Sequence, residues 1–357
     1  MGSAFLLLVI VVLLAIAFDY INGFHDTANA VATVISTNVL PARTAVLLAA
    51  VANFVGAFLG QNVAKTISGD IVEPTSVTQA VVAAALVGAI FWNLVTWYYG
   101  IPSSSSHALV GGVVGAGWAH MVLDQSAAPG AAIWKLGWST GFVKTLKGLI
   151  ISPVAGALGG FLIMVLLLWI VHRMAPYRVN RGFRWLQLVS ATFMATSHGT
   201  NDAQKAMGII TMALISFYGA DPSGAPAWLD LKHHTVPPWV VLVCAAAMGL
   251  GTASGGWRII KTMGHRIIRL KPINGFAAET SAATVILAAA HYGIPVSTTH
   301  VISASIMGVG ASKRVSAVRW GVARNMIIAW VITIPMTAMV AAATFWLLRF
   351  AGAPGTG

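Results

Sequence analysis

Long apolar runs with almost no charge are the feature that most limits how this chain can fold. Runs such as Leu149–Val171 and Met326–Leu348 reach the roughly 20 residues that cross the hydrocarbon core of a bilayer. Lipid offers the backbone no hydrogen-bond partner, so a crossing segment must satisfy its own amides and carbonyls, as an α-helix does. Only 8% of the residues are charged, against about 25% in soluble domains. The sequence therefore predicts an all-α, polytopic membrane protein.

The net charge of +12 comes from basic residues in short loops between the apolar runs. This distribution follows the positive-inside rule and favours a multi-pass protein of the cell (inner or plasma) membrane. Nucleic acid is not expected as a partner, because no basic stripe with interleaved aromatic residues is present. The chain also lacks a nucleophile–base pair, zinc-ligand spacing and a phosphate-loop signature. We therefore expect neither an enzyme nor a cofactor, and the lipid bilayer is the surrounding partner.

Two polar motifs occur twice in the chain. Asn22–Ala30 matches His198–Ala206, and Tyr99–His107 matches Tyr292–His300. Polar groups inside apolar stretches are costly unless they are used, so the duplication predicts two homologous halves that jointly build one site. We place the halves at residues 1–171 and 185–357. The connecting loop at 172–184 holds four arginines and no acid, and is therefore expected on the cytoplasmic side.

Equivalent loops of the two halves carry opposite charge. After its second apolar run, the first half has one basic and two acidic residues: Lys65, Asp70 and Glu73. The corresponding segment of the second half has five basic residues: Arg258, Lys261, Arg266, Arg269 and Lys271. Opposite charge predicts opposite orientation, and hence an inverted-topology repeat with about 10–12 transmembrane segments, including re-entrant hairpins. Three lysines fit this path poorly, and only an interfacial amphipathic stretch would explain them: Lys135, Lys144 and Lys147.

Glycine and proline positions predict where the helices end. Gly23 and Gly199 lie beside polar residues in long apolar segments, so these two helices are predicted to break near mid-membrane. Pro102 and Pro295 precede runs of hydroxyl residues, which predicts hairpins whose second arms begin at Ser/Thr caps. Two glycine pairs have the spacing of close helix packing: Gly56 with Gly60, and Gly251 with Gly255.

Two carboxylates stand at matched positions of the first motif. A carboxylate such as Asp26 or Asp202 in a membrane span is expensive to bury and indicates function. Four amide side chains nearby add oxygen ligands: Asn22, Asn29, Asn201 and Gln204. Oxygen ligands of this kind suit Na⁺, and a carboxylate could instead take up a proton. The motif therefore predicts a coupling-cation site for Na⁺ or H⁺ around the two aspartates.

Two hydroxyl clusters stand at matched positions of the second motif. Their members are Ser103, Ser104, Ser105 and Ser106 in the first half, and Ser297, Thr298 and Thr299 in the second. A helix that begins at such a cluster offers free backbone N–H groups and the positive end of its dipole, which attract anions. Two such helix starts facing each other from opposite halves would bind a tetrahedral oxyanion between them.

Four further residues are auxiliary candidates for this site: His25, His198, Lys205 and Glu279. A histidine in an apolar helix is more often a packed residue than a proton carrier. Lys205 stands where the first copy has Asn29, and it either pairs with Asp202 or contacts the anion. Glu279 is either a helix-start carboxylate favoured by the dipole or a residue of the transport pathway.

The motifs as a set resemble the inorganic phosphate transporter family known as PiT, of the low-affinity phosphate permease type. The likeness rests on Gly23–Asn29 with Gly199–Lys205, on the paired Gly-Ile-Pro segments and on Gly275–Glu279. It covers nearly the whole chain. The resemblance implies a secondary active transporter that imports phosphate by symport with Na⁺ or H⁺ through alternating access. It also implies cation ligation at Asp26, Asn29 and Asp202, and phosphate binding at the two hydroxyl clusters.

Other functions remain open at this level. A sulfate permease of the same fold is one, because sulfate is also tetrahedral. A passive anion channel would not need carboxylates inside the membrane, and a receptor would need a sizeable soluble domain, so both are disfavoured. Coupling stoichiometry, formation of a homodimer, and carriage of free phosphate or of a metal–phosphate complex are undecided.

Overall fold

A computed structural model of the chain describes residues 2–69, 78–124, 140–219, 222–230, 233 and 235–356. These residues form twelve α-helices and no strand, which confirms the predicted all-α class. The helices of the first half are α1 Gly2–Ser36, α2 Ala42–Gly56, α3 Asn62–Gly69, α4 Gln79–Tyr99, α5 Ser105–Leu123 and α6 Thr140–Val171. Those of the second half are α7 Pro176–Gly219, α8 Pro238–Ser254, α9 Trp257–Arg266, α10 Pro272–His291, α11 Thr298–Ala311 and α12 Trp320–Phe350. Asp70, Glu73 and Lys135 lie outside the described residues, whereas Lys144 and Lys147 lie in the first turns of α6.

Several helices can cross a membrane, as predicted for a polytopic protein. Within the described residues, six are long and apolar enough: α1, α4, α5, α6, α10 and α12. The pair α8 and α9, bent by 71°, brings the number to seven. This is fewer than the 10–12 segments predicted, in part because α2, α3 and α11 are short. With 44 residues, α7 extends about 66 Å and is long enough to cross, but its polar motif is buried in protein and lowers its hydropathy.

The predicted breaks at Gly23 and Gly199 are wrong, because α1 and α7 run through both glycines without interruption. Each glycine instead marks a close approach between helices. A Cβ added to Gly23 would lie 2.6 Å from the carbonyl oxygen of Met248 on α8, and one added to Gly199 would lie 2.6 Å from Cα of Asn53 on α2. The absence of a side chain therefore allows backbone contact.

The glycines of the two predicted packing pairs have different structural roles. Gly56 of α2 packs against the backbone of α7 at Thr196, and Gly251 of α8 packs against α1 at Tyr20. For these two glycines the predicted close packing is confirmed. Gly255 has a φ of 72°, a left-handed conformation that favours glycine, and it follows the last residue of α8 where the chain bends into α9.

The halves exchange packing partners in a reciprocal way. α1 packs against α8 and α9 of the second half, and α7 packs against α2 and α3 of the first. Likewise α6 packs against α10 and α11, while α12 packs against α4 and α5. At the centre α1 and α7 contact each other. A pseudo-twofold relation between the halves predicts this exchange.

The loop predicted at residues 172–184 is shorter in the structure. Only residues 172–175 separate α6 from α7, because α7 begins at Pro176. Arg178, Arg181 and Arg184 therefore lie on a helix, where their side chains are exposed. The positive-inside rule concerns charge, which an exposed helix end carries as readily as a loop.

Both predicted hairpin tips begin their second helix at a hydroxyl cluster. α4 ends at Tyr99 and is followed by the C-cap Gly100, whose φ of 65° is left-handed, and α5 begins after Ser104. The Ser104 hydroxyl accepts a hydrogen bond from the backbone N–H of His107 at 3.1 Å. In the second half, Ser297 accepts from the N–H of His300 at 3.3 Å. Ser104 and Ser297 are thus the N-caps of α5 and α11, as the sequence predicted.

Candidate functional site

The two copies of the first motif lie in α1 and α7, where these helices face each other. Asp26 is 2% exposed and Asp202 is 0% exposed. Ligand atoms of Asp26, His198 and Asp202 lie within 4.8 Å of one another. The matched carboxylates therefore form a single buried cluster, to which each half contributes one aspartate.

Asp26 accepts hydrogen bonds from both halves of the chain. Its Oδ1 accepts from Nδ1 of His25 at 2.6 Å and from the hydroxyl of Thr299 at 3.4 Å. Its Oδ2 accepts from the hydroxyl of Ser105 at 3.0 Å. Ser105 is in the first turn of α5 and Thr299 in the first turn of α11, so both hairpin tips hold the same carboxylate.

Asp202 is surrounded by a larger set of donors. Its Oδ1 accepts from Nζ of Lys205 and from Nδ2 of Asn201, each at 2.8 Å. Its Oδ2 accepts from the Thr298 hydroxyl at 3.3 Å and from Nδ2 of Asn22 at 3.4 Å. Asn22 belongs to the first half, so this carboxylate too is held by both halves.

His198 presents a ring nitrogen to the cluster. Asn53 donates from Nδ2 to the hydroxyl of Thr252 at 2.8 Å, so its Oδ1 accepts from Nδ1 of His198 at 3.1 Å. When the ring is neutral and Nδ1 donates this hydrogen bond, Nε2 of His198 carries the lone pair. Nε2 lies 3.6 Å from Oδ2 of Asp202 and has no hydrogen-bond partner. It is therefore placed to bind a cation, with Asn53 fixing the ring.

Three predicted amide side chains keep a buried carbonyl oxygen that accepts no hydrogen bond: Asn22, Asn29 and Asn201. A buried acceptor without a donor costs about 1–3 kcal/mol, and such atoms are uncommon in folded proteins. Amide and carboxylate oxygens are the ligands that hard cations prefer. The cluster therefore has the donor set of a cation site, and the residues present fit Na⁺.

The hydroxyl clusters join the two tips to each other and to this site. Asn29 donates from Nδ2 to the hydroxyls of Thr299 at 2.9 Å and Thr298 at 3.3 Å. The Ser106 hydroxyl of the first tip donates to the backbone oxygen of Val296 in the second tip at 3.0 Å. Ser103 donates to the Thr96 hydroxyl at 2.8 Å. All seven predicted hydroxyl residues are buried.

The histidines that end the second motif meet between the tips. The rings of His107 and His300 are 4.4 Å apart between centroids, and Trp330 of α12 stacks on His300 at 3.9 Å. Each histidine follows the hydroxyl cluster of its own half. The predicted meeting of the two motif copies is therefore present in the fold.

Gln204, which the sequence grouped with the cation ligands, is bonded to backbone groups away from the aspartates. Its Oε1 accepts from the backbone N–H groups of Val63 at 2.8 Å and Ala64 at 3.2 Å. Its Nε2 donates to the backbone oxygen of Thr200 at 2.6 Å. Gln204 thus caps the start of α3, where the first N–H groups of a helix lack intrahelical partners.

Glu279 lies two turns inside α10, so its interpretation as a helix-start carboxylate is wrong. The dipole effect is confined to the first turn. Oε1 accepts from Thr33 of α1 at 2.6 Å and from Gln187 of α7 at 3.0 Å, and Oε2 accepts from Ser190. These donors were missed in the sequence, although Gln187 and Ser190 have the i, i+3 spacing of one helix face.

Asp19 was also missed as a member of the buried polar interior. It is 0% exposed and its carboxyl lies beside the thiol of Cys244. Its signal in the sequence is position, because Asp19, Asn22, Asp26 and Asn29 follow the spacing of a single helix face. This face of α1 is therefore polar over about three turns.

Comparison with known proteins identifies the family of the chain. The sequence profile described as the phosphate transporter family matches residues 22–341. The chain belongs to the phosphate transporter family. This confirms the resemblance drawn from the motifs, and members of this family are transporters rather than enzymes. Phosphate is thus the substrate class of this multi-pass membrane protein.

Individual members of the phosphate transporter family match along nearly their full length. The chain is 47% identical over 351 residues to a probable low-affinity inorganic phosphate transporter of Bacillus subtilis (strain 168), covering 98% of this chain and 99% of the relative. It is 46% identical to a protein of the same description from Rhizobium meliloti (strain 1021), covering 96% and 97%. A solved structure titled "The sodium-dependent phosphate transporter" aligns with a TM-score of 0.79 and 25% identity, covering 96% of this chain and 99% of that one.

Proposed function

We propose that this protein imports inorganic phosphate across the cell (inner or plasma) membrane by symport with a cation. One observation carries the proposal: the hydroxyl clusters of both tips donate to the two carboxylates of one buried cluster. Anion-binding groups and cation-binding groups are thereby joined in the same hydrogen-bond network. Occupation of one site then changes the donors available to the other.

The charge of the cluster explains why a cation is required. Two carboxylates within 4.8 Å repel each other by roughly 3 kcal/mol at an effective dielectric constant near 20. Lys205 pairs with Asp202 and offsets one of these charges, but a phosphate anion adds further negative charge to the same buried space. Binding of a cation to Asp26, Asn29 and the neighbouring amide oxygens offsets this repulsion, so cation and phosphate stabilise each other.

The same network supplies a route for coupling. In the structure Ser105 and Thr299 donate to Asp26, while Thr298 donates to Asp202. When a cation takes over the carboxylate oxygens, these hydroxyl groups become free to donate to phosphate oxygens. The backbone N–H groups at the starts of α5 and α11 add donors for the anion.

Alternating access follows from the reciprocal packing of the halves. An inverted-topology repeat places equivalent tips on opposite sides of one central site. α1 packs against α8 and α9, and α7 packs against the equivalent helices α2 and α3. This reciprocal packing supports such a repeat. Movement of one tip away from the site opens it to one side, and the equivalent movement of the other tip opens it to the other. The solved sodium-dependent relative favours Na⁺ as the cation to test first.

The proposal is tested by phosphate uptake into vesicles that contain the purified protein. Imposed Na⁺ and H⁺ gradients are compared, with sulfate as a competing anion. Asp26→Asn and Asp202→Asn should each abolish gradient-dependent uptake, because each removes a negative ligand from the cluster. Asp124→Asn is the matched control, since Asp124 lies at the end of α5 and pairs with Arg349 at 2.7 Å. Full uptake by both cluster variants would overturn the proposal.

A further inference from the structure

The two copies of the first motif differ in charge at one matched position. Asn29 on α1 corresponds to Lys205 on α7, three residues after the matched aspartates. At the other positions the copies use similar ligands, since Asn22 and His25 in the first copy correspond to His198 and Asn201 in the second. The site is therefore nearly symmetric in chemistry except for one ammonium group.

That ammonium group lies where a bound cation would contact Asp202. Nζ of Lys205 is 2.8 Å from Oδ1 of Asp202, and Lys205 is 1% exposed. Among the side chains that the structure describes, it is the only buried lysine or arginine. A buried charge is retained in a protein when it is paired, and this lysine is paired with the carboxylate of its own motif.

The first-half position has a different geometry. Asn29 directs its amide nitrogen to Thr298 and Thr299, and its Oδ1 stays buried without a donor. Asp26 is bonded by His25, Ser105 and Thr299, and its hydrogen bonds include no lysine or arginine donor. The first half thus offers a carboxylate and a free amide oxygen, where the second half offers a carboxylate and an ammonium group.

We propose that Lys205 is a tethered counter-ion that takes the place of a second coupling cation. Exchangeable cation then binds only on the Asp26–Asn29 side of the cluster, while the Asp202 side is neutralised by the protein itself. This inference rests on the proposed symport. Under this proposal, the residue at position 205 determines how many cations are carried with each phosphate, because a tethered charge does not leave with the substrate.

A role of Lys205 as an anion ligand is the competing interpretation. Lys205 also lines a small, otherwise largely apolar cavity next to Ser106 and Pro295. The contact with Asp202 at 2.8 Å favours the counter-ion, since a strong charge-assisted hydrogen bond already directs Nζ to that carboxylate. The two roles differ in the variable that mutation changes: cation stoichiometry for a counter-ion, and phosphate affinity for a ligand.

The test uses Lys205→Asn, which gives the second copy the residue of the first, with Lys205→Met as the control that removes the charge without adding an oxygen ligand. Equilibrium binding of radioactive Na⁺ to purified protein should show about one more Na⁺ per protein in Lys205→Asn than in wild type. Na⁺ should also raise its melting temperature more than that of wild type, and Lys205→Met should not gain the additional site.

Uptake measurements complete the test. The Na⁺ dependence of phosphate uptake should become steeper in Lys205→Asn. Unchanged Na⁺ binding and unchanged steepness, with a raised KM for phosphate, would overturn the counter-ion role of Lys205 and favour a role as anion ligand.

If Lys205→Asn does not fold, Asn29→Lys carries the same test in reverse. It should lose the Na⁺ binding of wild type, and retained binding would overturn the inference. Absence of phosphate uptake by wild type under every gradient rejects the proposed symport instead, and is distinguishable because Na⁺ binding is measured separately.

Discussion

Glu279 and the pair Asp26 and Asp202 are buried carboxylates that differ in the polar groups around them. Glu279 accepts from three side chains on two other helices. The cluster of Asp26 and Asp202 instead lies among amide oxygens that lack donors. A carboxylate surrounded by donors alone holds helices together, whereas two carboxylates beside amide oxygens without donors offer a set of oxygen ligands to a cation. We therefore expect Glu279 to have a structural role, and the cluster is the proposed binding site.

The first prediction concerns Glu279 as a structural connection. Glu279→Leu should lower the free energy of unfolding by at least about 2 kcal/mol, because the Gln187 amide and the Ser190 hydroxyl lose their acceptor. Thermal unfolding of the detergent-solubilised protein measures this loss. Glu279→Gln is the control, since it keeps the length of the side chain and one acceptor oxygen. Equal melting temperatures for the two variants would contradict the structural role.

At the scale of helices, glycine residues allow neighbouring helices to pack closely against α1 and α7. Gly23, Gly199, Gly56 and Gly251 each meet the backbone of a neighbouring helix. These contacts bring α8 and α2 against the motif-bearing helices, where Asn53 reaches His198. Close packing therefore positions a side chain that orients His198 of the buried cluster, as well as the helices themselves.

The second prediction compares two glycines of the same helix. Gly199→Ala should destabilise the protein by about 1–3 kcal/mol, because the added Cβ would overlap Asn53 of α2. Gly182→Ala lies on α7 with nothing within 4 Å of the added Cβ, and should be neutral or stabilising by up to about 1 kcal/mol. Thermal unfolding of both variants checks the contrast. A similar loss in both would show that helix packing is not the reason.

Local sequence patterns predicted the starts of α5 and α11, but they could not predict contacts between residues that are distant in the sequence. Ser104 and Ser297 cap their helices through bonds spanning three residues, so the pattern itself contains the information. Gln204 caps α3 from 140 residues away, and nothing local distinguishes it from the neighbouring amides. The role of a glycine is similarly ambiguous in the sequence, because only the fold shows whether it ends a helix or allows close contact with a neighbouring helix.

At the scale of the whole molecule, the halves are interleaved rather than placed side by side. α6 and α12 each pack on the hairpin of the opposite half, and both aspartates accept from both halves. Neither half contains the whole buried cluster. A change in one copy of a motif therefore acts on the partners of the other copy, which is how a single lysine can alter a site of two carboxylates.

The third prediction concerns the orientation of the halves. Lys65 on α3 and Lys261 on α9 are exposed, and the inverted repeat predicts Lys65 outside and Lys261 inside the cell. The only cysteine, Cys244, is buried, so Cys244→Ala gives a simple background for labelling. In intact cells, a membrane-impermeant maleimide should label Lys65→Cys, and should label Lys261→Cys only after the membrane is opened. Labelling of both from the same side would contradict the inverted arrangement.

The interleaved packing has a consequence for biosynthesis. A ribosome delivers α1, with Asp26, before any other helix, yet the Thr299 hydroxyl that bonds Asp26 is 273 residues further along the chain. Until α11 is inserted, Asp26 has only partners from its own half. Because α1 also packs on α8 and α9, its mature neighbours arrive only after the second half has been translated. The buried cluster is therefore completed after insertion into the bilayer, and a nascent chain that stops before α11 leaves a carboxylate in the membrane without its second-half donor.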